Sequence, residues 1–175
     1  MRFGRAWALK TIFCSVAVWM SVPLAAYGAG EPLTFAGSAG RFGLLRGGAA
    51  FEAGAEMRFA PRRLRLLPRV VPGLRLAAGG MATSRGTLYV YSGFRFDLPV
   101  GSAWRVSPQT AVGFYHQGDG KDLGGAIEFR SGLELSRRIG ARSRLGLLFY
   151  HLSNAGIYER NPGTESLVLT YSREP

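Results

Sequence analysis

Ile127-Glu128-Phe129-Arg130-Ser131-Gly132-Leu133-Glu134-Leu135-Ser136 alternates apolar and polar side chains, with Ser131 the one exception on the apolar side. A period of two is that of a strand with one apolar and one polar face. The pattern recurs. Phe51, Ala53, Ala55, Met57 and Phe59 alternate with Glu52, Gly54, Glu56 and Arg58, and Leu88, Val90, Phe94 and Phe96 alternate with Tyr89, Tyr91, Gly93, Arg95 and Asp97. Strands are read near 33–42, 48–60, 73–82, 86–98, 103–116, 124–138, 142–154 and 164–172. Turn signals such as Arg85-Gly86, Gly101-Ser102 and Gly118-Asp119-Gly120 separate them. Many of these strands run about 9–13 residues, enough to cross a bilayer when tilted. An even number of such strands predicts an all-β, eight-stranded antiparallel up-and-down transmembrane β-barrel.

The start of the chain sets the compartment. Arg2, Arg5 and Lys10 precede an apolar run over 11–26, and small residues follow at Ala25-Ala26-Tyr27-Gly28. This is the layout of a secretory signal peptide over 1–28, cleaved after Ala26 or Gly28, with the barrel domain over 29–175. The only cysteine, Cys14, leaves with it. The mature chain therefore has no disulfide, thiolate nucleophile or cysteine-ligated metal. Without the signal, 19 basic residues face 11 acidic ones, a net charge of +8 in which Lys121 is the only lysine. Such a balance favours anionic partners. For an exported chain those are lipid head groups and not nucleic acid.

Alternation by itself fits two barrels. In a soluble lipid-binding barrel the charged set faces water; in an outer-membrane barrel it faces the lumen. Gly54, Gly93 and Gly132 on the polar faces suit a cramped interior. The near match of Glu52, Glu56, Asp97, Glu128 and Glu134 with Arg58, Arg75, Arg95 and Arg130 suits an enclosed ionic network. Both features favour the membrane version.

The end of the chain holds the candidate chemistry. In Phe149-Tyr150-His151-Leu152-Ser153-Asn154-Ala155-Gly156, His151 and Ser153 share a strand face, two positions apart. If 165–171 pairs back as a hairpin, Glu165 comes down beside the histidine, where a carboxylate can orient the imidazole. With the first strand rising from the periplasm, the loop 155–163 is extracellular. The three residues also share faces with Leu145, Leu147, Phe149, Leu167 and Leu169, so they look into the outer leaflet.

At these residues the chain resembles the outer-membrane lipid A 3-O-deacylases, the PagL family. The resemblance is specific in Lys121-Asp122-Leu123-Gly124 through Glu128-Phe129-Arg130-Ser131-Gly132, and in His151-x-Ser153-Asn154-Ala155 with Asn161-Pro162-Gly163-x-Glu165. It implies Ser153 as nucleophile, His151 as general base, Glu165 as third member, lipid A of lipopolysaccharide as substrate, and neither metal nor cofactor. The implied reaction is ester hydrolysis through an acyl-enzyme. Asn154 is the oxyanion candidate if the strand breaks after Ser153; otherwise backbone N–H groups do that work. The chain departs from the usual aromatic terminus of such barrels, since Ser172-Arg173-Glu174-Pro175 follow Tyr171.

Other polar residues carry less. His116 ends the fifth strand at the outer rim, where substrate contact and interfacial packing are both open. Asp119 and Asp122 lack the ligand spacing of a calcium loop and read as a solvated turn. Arg62, Arg63, Arg65 and Arg69 fall on the periplasmic side, near inner-leaflet head groups. A homodimer stays open, as do a non-enzymatic structural or adhesive barrel and a soluble lipid-binding barrel.

Overall fold

A computed structural model describes residues 33–45, 47–59 and 73–175. The signal segment 1–28, with Cys14, and the basic run from Arg62 to Arg69 lie outside the described residues. The ordered elements are all strands: β1 (Thr34–Phe42), β2 (Ala50–Phe59), β3 (Leu74–Thr83), β4 (Leu88–Phe96), β5 (Leu98–Val100), β6 (Trp104–His116), β7 (Ile127–Arg138), β8 (Ser143–Ser153) and β9 (Thr164–Arg173). Every pairing is antiparallel, and the β1–β9 and β4–β6 pairs close the sheet on itself.

Nine segments make eight walls. Arg95 pairs with Gln109 and Leu98 with Val106, so β4 and β5 hold one register against β6. The break between them falls opposite Pro108, which has no N–H to give the ladder. On its other edge the strand keeps its ladder, with the Asp97 N–H donating to the Gly73 carbonyl at 2.8 Å in continuation of the β3–β4 register. The expected eight-stranded antiparallel barrel is what the chain forms.

The two faces settle which side meets lipid. Leu169 is 59% exposed and Phe51 60%, and Leu133, Leu135, Leu145, Leu147 and Phe149 are exposed with them, whereas Glu134 on the opposite face is 1% exposed and Arg95 is fully buried. A soluble barrel would bury the first set and expose the second. This one has an apolar outer wall and an ionic interior, the arrangement of an outer-membrane barrel. The termini share one end, where the described turns 101–103 and 139–142 are short. The longer loops 117–126 and 154–163 sit at the other, extracellular, end.

The lumen is filled rather than open. Glu134 accepts from Arg58 at 3.0 Å and from Arg95 at 3.1 Å; Arg58 also reaches Glu56, and Arg95 reaches Asp97. Above them Arg130 lies between the rings of Tyr91 and Tyr150, 4.4 and 4.1 Å from their centroids. The Tyr150 and Ser166 hydroxyls both donate to Glu52. At the periplasmic mouth Arg105 joins Asp97 to Glu174, so the polar tail beyond Tyr171 is tied into the same network. Glu128 departs from the expected pairing: it is buried near the extracellular end, and neither carboxylate oxygen has a hydrogen-bond partner.

Adjacent positions on β7 therefore demand opposite chemistry. Glu134→Leu should cost about 3 kcal/mol by removing the carboxylate that two buried guanidiniums share. Leu133→Arg should cost about 2–4 kcal/mol by placing charge against the hydrocarbon near the midplane. Urea titration of the refolded barrel in lipid vesicles reads both, and Glu134→Gln should fall between wild type and Glu134→Leu.

Candidate active site

Register brings the site together. His151 on β8 and Glu165 on β9 are direct cross-strand partners. Such partners share a face with their Cβ atoms about 5 Å apart, and His151 Nδ1 lies 3.2 Å from Glu165 Oε1. The Glu165 side chain is 7% exposed and the imidazole 32% exposed. The carboxylate is thus packed away while the ring edge stays accessible. A carboxylate on Nδ1 leaves Nε2 as the nitrogen able to accept a proton.

Ser153 ends β8 on the same face, two residues beyond His151, and pairs across to Phe129 of β7. The two Cα atoms are about 6.8 Å apart at the rise of a strand. No hydrogen bond joins Ser153 Oγ to the ring in this structure; contacts of this kind often tighten only around substrate. Phe129, Phe149 and Leu147 form an apolar wall below the cluster.

The strand ends after Ser153 because of what Asn154 does. This residue is fully buried. Its side-chain amide donates to the Leu123 and Arg160 carbonyls, both at 2.8 Å, and its Oδ1 accepts from the Gly156 N–H at 3.0 Å. The chain then turns through Ala155 at φ 53° and Gly156 at φ 79°. A left-handed alanine costs roughly 1–2 kcal/mol and is held only by surrounding contacts. Asn154 is therefore the strut of the loop. The expectation that its amide serves as oxyanion donor is corrected, because both amide hydrogens are already given to carbonyls.

Sequence reasoning assigned no roles to the residues that hold this loop. Asn161 Oδ1 accepts the Asn154 N–H at 3.0 Å, which fixes the Asn161 amide beside the peptide that follows Ser153. Gly163, at φ 57°, lies so close to the imidazole that a Cβ there would sit 2.7 Å from His151 Cε1. The Ile127 N–H donates to the Tyr158 phenol oxygen at 3.2 Å. Its ring covers Gly125, where no Cβ fits. Arg160 pairs with Asp122, whose carboxylate is held below its usual range by the Gly124 N–H and by Arg160. The turn 118–122 is thus a latch on the active-site loop, more than a solvated turn. An aromatic in a polar loop and the Gly124-Gly125 pair were the available signals.

His116 is not brought to the site. It is exposed at the end of β6, two strands from Ser153 and four residues beyond Val112, which shares the Ser153 row. That is a separation on the order of 15 Å. Among the described residues no cluster of three or more metal-ligating side chains occurs.

The model of the family "Lipid A 3-O-deacylase (PagL)" matches residues 53–174, and the chain belongs to that family. Among curated relatives, lipid A deacylase PagL of Bordetella bronchiseptica (strain ATCC BAA-588 / NCTC 13252 / RB50) is 33% identical over 82 residues. That match takes in 47% of this chain and 43% of the relative, so the alignment spans less than half of either. Among solved structures, the outer-membrane enzyme PagL superposes with a TM-score of 0.58 at 17% identity, covering 80% of this chain and 98% of that one. Neisserial surface protein A gives 0.52 at 10% identity, over 84% and 98% of the two chains. A de novo designed transmembrane β-barrel gives 0.51 at 12%, over 86% and 99%. At these identities the superpositions speak to the barrel and not to its chemistry.

Asn154→Ala should free the active-site loop while leaving the barrel closed. The orphaned Leu123 and Arg160 carbonyls cost about 1–3 kcal/mol each where they stay buried. Limited proteolysis should cut between 155 and 160 in the variant and not in wild type, with heat-modifiable gel migration unchanged.

Proposed function

We propose that the chain hydrolyses the 3-O-linked acyl ester of lipid A, with Ser153 as nucleophile, His151 as general base and Glu165 as its orienting partner. The observation that carries this reading is the His151–Glu165 pair at 3.2 Å on the lipid-facing wall, with a serine two residues along the same face. Family membership supports the same chemistry. A site on the outer wall at the extracellular end meets a membrane lipid in place, so the acyl chain stays in the leaflet while the ester reaches the serine.

In the first half-reaction His151 Nε2 takes the Ser153 proton as Oγ bonds to the ester carbon. The carbon–oxygen bond to the sugar then breaks, and the leaving 3-oxygen takes the proton from the imidazolium. In the second half, water adds to the acyl-serine with His151 again as base, releasing the fatty acid and restoring Ser153. Glu165 holds the Nδ1–H tautomer and stabilises the imidazolium. The Asn161 amide, anchored by its oxygen, has its hydrogens available for the developing oxyanion, taking the part first expected of Asn154.

Ser153→Ala and His151→Ala should each lower acyl release by several powers of ten in a folded barrel. Glu165→Ala should leave measurable turnover, because a packed imidazole still reaches the serine part of the time. Gly163→Ala should also fall well below wild type, since both the backbone and the ring must give way. Mass spectrometry of lipid A incubated with equal amounts of folded protein checks all four. Full activity in Ser153→Ala would remove the serine from the mechanism, and no acyl release by wild type would leave a non-enzymatic barrel.

A further inference from the structure

One permanent cation stands on the lipid-facing wall beside this site, and the chemistry so far does not use it. Arg41 is the last outward residue of β1 before the strand ends at Phe42. It is exposed and pairs across to Leu167 of β9, the outward neighbour two residues from Glu165. By strand spacing and rise its Cα lies about 8 Å from that of Glu165 and about 12 Å from that of His151. Among the described outward-facing strand positions at the extracellular end it is the only lysine or arginine; the others there include His116, Leu88, Phe51 and Ser153. It has no carboxylate within ion-pair distance among the described residues, whereas Arg160 in the loop above is spent on Asp122.

The space beside Arg41 is shaped as well as charged. A depression of about 420 Å³ opens between β1, β2 and the β3–β4 turn, lined by Gly40, Arg41, Ala49, Ala50, Phe51 and Ser84. Phe51 is the direct cross-strand partner of Arg41. Ser84 Oγ accepts the Phe51 N–H at 3.2 Å, so its own hydrogen is free to point into the depression. Guanidinium and hydroxyl thus converge on a hollow with an apolar floor. A guanidinium on this wall is stable at the level of the head groups, where it meets anions, and its planar fork suits phosphate oxygens bidentately.

We propose that Arg41, with Ser84, binds a phosphate of the lipid A head group and so sets the glucosamine whose 3-O-ester faces Ser153. The inference rests on the deacylase reading above and adds to it the group that orients the substrate. A phosphate held on the Arg41 side of the hollow lies one to two strands beyond Glu165, about the span of one phosphorylated disaccharide. Binding there fixes which acyl-bearing position is presented to the serine.

The test separates binding from turnover. Phosphorylated lipid A and the same lipid A after enzymatic dephosphorylation, both free of further sugars, are offered in mixed micelles to wild type, Arg41→Gln and Arg41→Lys. Arg41→Gln should raise KM for phosphorylated lipid A about tenfold with kcat within about twofold, and should leave the dephosphorylated substrate unaffected. Arg41→Lys should recover part of the loss, as a point charge without the fork. Equilibrium binding to Ser153→Ala and to Ser153→Ala/Arg41→Gln reads the same preference without catalysis, so it stands even if no acyl chain is released. Heat-modifiable migration confirms that each variant is folded. An Arg41→Gln effect of equal size on both lipids, or none on either, in kinetics and in binding alike, would overturn the proposal.

Discussion

A chain that crosses a bilayer as strands must pair every backbone N–H and C=O within itself, and that requirement governs this molecule. Lipid offers no alternative partner, so the sheet has to close, here through the β1–β9 and β4–β6 ladders. Closure then dictates the rest. With two faces and strict alternation, one face lies against acyl chains and the other is enclosed, so the charged half of each strand has only other inward-facing side chains for company. Glu134 shared between Arg58 and Arg95, and Arg130 stacked between two tyrosines, are how the interior meets that demand. Opposite Pro108, which has no N–H to give, the β4–β6 ladder is interrupted, while the Asp97-to-Gly73 bond keeps the β3–β4 ladder running past the break.

The same closure builds the site. Antiparallel register fixes which residue of β9 stands opposite which residue of β8, and a slip of one residue would turn Glu165 inward and leave His151 without a carboxylate. Below the extracellular rim, precision therefore comes from the rigid ladder. Above it, precision comes from buried hydrogen bonds: Asn154 ties the active-site loop to Leu123 and Arg160, and the Arg160–Asp122 pair joins the two long loops. Strain is concentrated just past Ser153, at Ala155, and the close approach of Gly163 fills the space beside the imidazole. Ring, serine and loop are positioned as one unit on a mostly apolar wall that carries Arg41 one strand over.

Much of this was legible from residue order. Strand positions followed from period-two alternation, since a strand in a barrel has no freedom to place its faces otherwise. His151, Ser153 and Glu165 followed from the same parity together with the family resemblance. Loop contacts were not legible, because nothing periodic governs them. Asn154 looked like a free amide until its two carbonyl partners, 31 and 6 residues away, were known. Tyr158 over Gly125 and Asn161 on the Asn154 peptide are likewise meetings between distant loops. His116 and Glu128 show the same limit on the strands: parity gave each its face but not its neighbours, and one stands far from the site while the other buries a carboxylate that has no hydrogen-bond partner among the described residues.

Sequence alone determined the period, the sidedness of each strand and the residue types available for chemistry, because these depend only on positions two apart along one chain. Tertiary structure decided that the apolar set faces outward, that His151 meets Glu165 at hydrogen-bonding distance, and that Asn154 is consumed in holding the loop. Those outcomes depend on which strands and loops become neighbours when the sheet closes. That choice is made by the summed pairing of the whole barrel in lipid and not by any one segment.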